Sequence, residues 1–567
     1  MAQGSFRSAL FAFADAFIER SAALNPIAAT DYGIDRYDDQ LTDFSLAKAG
    51  ETADFLRSSL ASLTAVAPAD EIDRIGKEVM VERLTATLGL EESGETRRTF
   101  SMLASPASRI RQVFDLQPAA GPEDAQRIRS RLAAVGGALE SWRGALDEDS
   151  RGGLVAARRQ ALGVADQLDT YGRGAYGGVA RRVAQTCRVD ADSSGLAAAA
   201  ADADRACGAL AGWLRTVYAR RAGTTDAVGA DRYRSWATYF TGAELDLVEI
   251  YHWGWADLQR INGRMWEIAA EVAPGARTLA EAAARLDADE DRAVHGADVL
   301  LERLRGLTEG AVEMLDGVHF DIDGRIRFCD ARLAPEGSAA APYYIAPSED
   351  LSRPGTTWFP TLGHDRFPLW RLVSTWYHES VPGHHLQCAT AILQRDRQSR
   401  FQRLEGFISG YGEGWALYAE RLMEELGAFT DPGDEMGYLS AQALRAARIV
   451  VDIGLHLALA APSDVGVLAG LGDVAGRPWD AQMAVALLEE RAIEPADMAV
   501  SEVDRYLGVP GQAISYKVGE RVWLETRSDA RRRLGPAFDM KAWHAHALAL
   551  GPMGLDPFRR EMAAYST

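Results

Sequence analysis

Apolar residues recur at i, i+3 and i+4 along most of the chain, set among Ala, Leu, Arg and Glu. That period belongs to amphipathic helices that bury one face. It predicts helices over 5–24, 72–93, 124–146, 153–174, 196–221, 243–273, 278–287 and 294–309. Turn chemistry such as Gly121-Pro122 and Pro274-Gly275 separates them. No internal repeat of 20–50 residues is present.

The period changes at about residue 318. The stretch VHFDIDGRIRFCD alternates apolar and polar residues around Asp323-Gly324, which predicts a hairpin closed by a tight turn. PYYIAPS (342–348) and TTWFPTL (356–362) are aromatic and β-prone. A small antiparallel sheet is therefore expected between 318 and 362. Helical periodicity returns at about Leu369, with breaks near 431–437, 471–478 and 508–511. No long linker interrupts the chain. The expected organisation is one large, mainly α domain over 1–567, with a helical half (1–317), the sheet (318–362) and a second helical half (363–567).

Composition narrows the classes. The chain has 567 residues, 47% hydrophobic and 25% charged, the profile of a globular protein. Disordered, collagen-like and small disulfide-stapled chains are excluded. With 61 Lys+Arg against 81 Asp+Glu, the formal net charge is −20, which repels nucleic acid unless basic residues cluster. Arg97-Arg98, Arg181-Arg182, Arg220-Arg221 and Arg531-Arg532-Arg533 sit apart on helical segments and read as solvated faces. No apolar run is long enough to span a membrane. The apolar N-terminal stretch is broken by Asp15 and Glu19 and reads as an amphipathic helix, not a signal peptide. Four cysteines without a CxxC pair fit a reducing compartment, so the cytoplasm is the expected location.

Candidate chemistry is concentrated in the second half. Three of the ten histidines fall within YHESVPGHHLQ: His378, His384 and His385. His378-Glu379 followed by Gly383-His384 compares with HExxH, in which two His one helical turn apart bind zinc and the Glu acts on water. Here the fourth position after His378 is Pro382. His384 would lie about 9 Å further along a regular helix, too far to share an ion. Pro382 and Gly383 instead predict a break between two short helices that folds His384 or His385 back toward His378. Downstream, GYGEGWALYAE carries Glu413 and Glu420 seven residues apart, on nearly one helix face. One suits the third ligand of a two-His-one-Glu site; the other suits the second ring nitrogen of a ligand His.

Arg448, Asp452 and His456 stand at i, i+4 and i+8 of an apolar helix. They read equally as a carboxylate anchor with an oxyanion donor, or as an internal salt-bridge ladder. Tyr516, just beyond Pro510-Gly511, is placed to donate to an oxyanion.

YHESVPGHHLQ, EGWALYAE, RAARIVVDIGLH and PGQAISYKVGE, in that order, resemble the bacterial family catalogued as domain of unknown function 885. The fragment NPIAATDYG near the start resembles the family's beginning, so the likeness covers nearly the whole chain. That family is similar to the Taq-type metallocarboxypeptidases and, more distantly, to angiotensin-converting enzyme. The resemblance implies a large helical metallopeptidase-like fold, with a deep cleft and a small sheet beside the HE-containing helix. It implies zinc held by His378, His384 and Glu413, with His385 and Glu420 as supporting or alternative ligands. Glu379 is then the general base, and Tyr516 and His456 stabilise the oxyanion.

The expected function is a zinc-dependent peptidase of carboxypeptidase or dipeptidase type, acting on a peptide or small amide. Arg353, Arg448 or Lys517 would hold a terminal carboxylate, and the 342–362 strands, with Tyr344, would contact substrate. Two alternatives stand beside it: a metal hydrolase of a non-peptide amide or ester, and a helical binding protein whose cleft takes no metal.

Overall fold

The computed structural model describes residues 7–334, 341–349 and 351–566. Helix dominates throughout. The chain forms two compact units: Met1–Ala69 with Leu84–Val228 and Leu507–Val509, and Asp70–Arg83 with Gly229–Tyr506 and Pro510–Thr567.

The first unit is a bundle of long helices. Ala9–Leu24 stands where a helix over 5–24 is expected, with residues 5 and 6 outside the described residues. Its start is capped by Ser8, whose hydroxyl accepts from the Phe11 amide. Pro122–Arg151 begins with Pro at its first turn, where the missing N–H costs nothing, and buries Ile128, Leu132, Val135, Leu139, Trp142 and Leu146 along one stripe. That stripe joins a core with Val164, Leu168, Val179, Val183, Cys207 and Leu210 from the next three helices. The helix expected over 196–221 is α-helical only to Trp213, then passes through a wider turn at Leu214–Tyr218.

The second unit holds the candidate chemistry. Its long helices include Leu247–Val272 and Pro432–Leu457, which pack against each other. Seven short strands are described: β1 (Ala293–His295), β2 (Asp330–Leu333), β3 (Tyr343–Ile345), β4 (Thr356–Phe359), β5 (Arg366–Pro368), β6 (Val467–Leu468) and β7 (Gly472–Asp473). β1 pairs with β5, so the helix expected at 294 starts only at Ala297. β6 pairs with β7.

The sheet expected between 318 and 362 exists in altered form. Asp323-Gly324 does not close a hairpin. The Asp323 carboxylate accepts from the Arg325 amide and caps a single tight helical turn, Gly324–Ile326. This local side-chain bond wins over strand pairing. The three-stranded sheet runs β2-β4-β3, with β2 parallel and β3 antiparallel to β4. It is therefore mixed rather than antiparallel. β3 forms one edge, and its far side has no strand neighbour among the described residues.

Candidate metal centre

The helix Leu372–Glu379 carries His378 in its last turn and buries Val373, Ser374, Trp376, Tyr377 and His378. It stops at Glu379, and a new helix, His384–Leu393, begins five residues later. Between them the chain doubles back. The Ser380 amide and hydroxyl both donate to the Trp376 carbonyl, and the Gly383 amide donates to that of Tyr377. The Val381–Pro382 peptide is cis. The return is so close that a Cβ on Gly383 would lie 1.9 Å from the His378 carbonyl oxygen and 2.4 Å from that of Tyr377. Only glycine fits there. The Trp415 indole N–H clamps the loop by donating to the carbonyls of Pro382 (2.9 Å) and Gly383 (3.1 Å).

This fold-back brings the His384 ring to the His378 ring, with centroids 4.8 Å apart at 90°. Glu413 arrives on the helix Ser409–Glu425, which crosses the helix Ser515–Leu534 at glycine-to-glycine contact. A Cβ on Gly414 would lie 2.5 Å from the Gly519 Cα. The two backbones thus touch, and Glu413 and Tyr516 project from neighbouring turns of this crossing into one cavity.

The donor atoms converge. Glu413 Oε2 is 3.2 Å from His378 Nε2 and 3.4 Å from His384 Nε2. One nitrogen from each ring and one carboxylate oxygen all lie within 4.8 Å of one another. Zinc at bond lengths of 2.0–2.2 Å holds tetrahedral ligand atoms about 3.3 Å apart. The donor types and the two carboxylate-to-imidazole spacings therefore fit that ion. The other nitrogen of His378, Nδ1, meets Glu420 at 2.8 Å, and the second Glu420 oxygen accepts from the Ser374 hydroxyl. A carboxylate behind a ligand His is the usual orienting device of zinc sites. Burial opposes charge on His378. The flanking carboxylates Glu413 and Glu420 outweigh it and raise the ring's pKa to about 9. Burial likewise opposes charge on Glu413, yet its hydrogen bonds to the two imidazoles hold it well below the usual carboxylate range.

Beside this cluster lies a cavity of about 880 Å³ lined by His378, Glu379, His384 and Glu413, with Cys388 and Tyr516. Burial raises the Glu379 pKa against the pull of His378 and His384. The Tyr516 ring lies parallel to His378, centroids 6.3 Å apart, and the Arg448 guanidinium sits 4.7 Å from its centroid. Burial, reinforced by the Glu413 charge, raises the Tyr516 pKa and keeps its hydroxyl protonated. Tyr343, Tyr344 and Ala346 bring the β3 edge to the cavity, and exposed Leu362 and Phe407 stand at its mouth.

Several expected residues are placed elsewhere. His385 is turned away: its Nε2 faces the Ile326 carbonyl at 2.8 Å and its Nδ1 the Tyr344 hydroxyl at 3.0 Å. Burial holds this ring neutral, with a pKa near 4. His456 is buried off the cavity, with Nε2 against the Tyr506 carbonyl. Lys517 is enclosed by Gln442, Glu520 and Asp257. Arg353 is exposed and does not line the cavity. Arg448 lines it but is paired to Glu502. Arg371, Arg445, Glu494 and Cys388 line the cavity without having been singled out from the sequence. For two of them a signal existed: Arg445 lies three residues before Arg448, and Cys388 four after His384, each on one helix face.

The chain belongs to the family of bacterial proteins of unknown function DUF885, whose family model matches residues 26–562. No curated protein matches it. Two solved structures share its fold. One, from Colwellia psychrerythraea and described as a "putative lipoprotein", is 22% identical with a TM-score of 0.83, covering 98% of each chain. The other, from Shewanella oneidensis and described as a "putative lipoprotein of unknown function", is 18% identical with a TM-score of 0.72, covering 97% of this chain and 99% of that one. Among the described residues no helix is long and apolar enough to cross a membrane.

Proposed function

We propose that this protein is a zinc-dependent peptidase of carboxypeptidase or dipeptidase type, related in design to the Taq-type metallocarboxypeptidases, with the 880 Å³ cavity as its substrate cleft. The observation that carries the reading is the meeting of two imidazoles and one carboxylate at ligand spacing, with the Glu379 carboxyl in the same cavity. Zinc, when bound, supplies Lewis acidity and makes a water easier to deprotonate.

The protein's own residues do the rest. The Glu379 carboxyl makes no hydrogen bond or ion pair within the described residues, so it is available to take a proton from the attacking water. It then passes that proton to the leaving amine. The Tyr516 hydroxyl donates to the oxyanion that develops on the substrate carbonyl. The free edge of β3 aligns an extended substrate backbone by strand addition. Leu362 and Phe407 at the mouth favour an apolar substrate side chain. A peptide or small amide is the substrate, and the cytoplasm the proposed place of action.

The test pairs metal content with hydrolysis of a peptide panel by the full chain. About one zinc per chain, lost in His378→Ala and Glu413→Ala, with hydrolysis lost in Glu379→Gln while zinc is retained, supports the reading. Turnover confined to esters or non-peptide amides replaces it with the broader metal hydrolase. Failure to take up micromolar zinc replaces it with a metal-free binding protein.

A further inference from the structure

Two guanidiniums line the candidate metal-centre cavity without an ion pair among the described residues. Arg371 donates to the Ile493 carbonyl at 3.0 Å and stacks 4.2 Å over the Trp370 ring, and it forms no ion pair among the described residues. Arg445 donates to the Ala441 carbonyl of its own helix at 3.1 Å, and its Nε is buried with no acceptor among the described residues. Their neighbours do not complete them. Glu502 is already shared by Arg448 and Arg505, each at 2.9 Å, and also accepts from the Tyr506 hydroxyl. Asp287 accepts from the Trp370 indole. Glu494 makes no side-chain hydrogen bond among the described residues, and burial raises its pKa against the charges of Arg371, Arg448 and Arg445.

A guanidinium cannot shed its proton, so a buried one with unfilled donors is costly until an anion arrives. Its planar fork matches a carboxylate in two-point contact. Arg445 also acts electrostatically on Glu379 and Tyr516, which puts it beside the proposed reacting centre, and Arg371 and Arg445 both act on Glu494. From these contacts we infer that Arg371 and Arg445 form a carboxylate-binding subsite in the metal-centre cavity. It anchors the substrate in the same cavity that the candidate metal ligands line. As a statement about substrate the inference rests on the peptidase reading; as a statement about binding it does not.

The test is calorimetric titration of the chelator-treated 567-residue chain with three probes. They are N-acetyl-alanyl-phenylalanine, its C-terminal amide, and N-acetyl-alanyl-glutamate with its α-carboxyl amidated. The free acid is expected to bind at least about tenfold tighter than the neutral amide. Arg445→Gln and Arg371→Gln should each remove most of that preference while leaving the amide's affinity within about twofold, and Arg→Lys at either site should restore only part of it. Preference for the glutamate amide would keep the subsite and assign it to an acidic side chain rather than a chain terminus. Equal binding of acid and neutral amide by the unaltered protein overturns the inference, as does no binding of any probe at millimolar concentration. A preference that survives the double substitution overturns it too. The unaltered protein's acid-to-amide ratio decides the matter even where a variant fails to fold. Hydrolysis by the zinc-loaded protein is read separately: selective binding without turnover keeps the subsite and removes the peptidase, and turnover without selectivity does the reverse.

Discussion

Glu420 holds the back of the His378 ring: its carboxylate lies 2.8 Å from Nδ1, while Nε2 on the opposite side faces Glu413. The seven-residue step from Glu413 to Glu420 is two helical turns, so in the proposed zinc site one helix would supply both a ligand atom and the group that orients the ligand beside it. Glu420 is fully buried, and Ser374 ties down its other oxygen. Glu420→Gln should therefore weaken zinc binding by about 10–100-fold with the helix intact. Competition against a chelator of known affinity, with circular dichroism as the folding control, checks this.

Gly383 lets His384 return to His378. In Gly383→Ala the new methyl meets the His378 carbonyl at 1.9 Å, and backbone cannot step aside as a side chain would. Overpacking of this kind costs about 1–3 kcal/mol. The variant should lose bound zinc and show a lower Tm, whereas Ala at Gly121, where no atom lies within 4 Å, should change neither.

Tyr516 is the expected oxyanion donor. Its ring is fixed by His378 and Arg448, so removing the hydroxyl should leave the ring in place. Tyr516→Phe should lower kcat by about 10²–10³ with KM little changed, because the bond is made as charge develops. Unchanged zinc content in the same sample separates this from a defect at the metal. A variant with near-normal kcat would remove Tyr516 from the mechanism.

Asp452 makes stability depend on pH. Burial raises its pKa from 3.8 to about 7, against the hydrogen bonds from the Tyr233 hydroxyl and the Gly511 amide. Between those values the folded chain keeps a proton that the unfolded chain has released. The contribution is therefore full below pH 4 and is lost as pH rises toward 7. Asp452→Asn keeps an acceptor and cannot ionise. It should flatten this part of the stability profile and denature at higher urea than the unaltered protein at pH 8. Parallel profiles for the two proteins would contradict this.

The period of apolar residues made the helices legible, because each is specified by contacts three or four residues apart, and Pro122–Arg151 and Leu247–Val272 follow from their own sequence. The strands at 343–345 and 356–359 fall inside segments read as β-prone. In place of the hairpin expected at Asp323-Gly324 the chain forms a capped turn, because an aspartate side chain can cap a helical turn as readily as it enters a β-turn. Similarly, His378, Glu379, His384, Glu413 and Glu420 stand out as residue types at telling intervals.

What the linear order could not settle was which of His384 and His385 faces His378, and which cations keep a free charge. The first depends on backbone torsions at Pro382-Gly383, since neighbouring residues on a helix point about 100° apart. The second depends mostly on partners distant in sequence: Glu502 neutralises Arg448, Asp257 joins the neighbouring Glu520 around Lys517, and among the described residues nothing comparable reaches Arg445. Chemical identity and local period are written along the chain; the pairing of charges is decided only where distant helices meet.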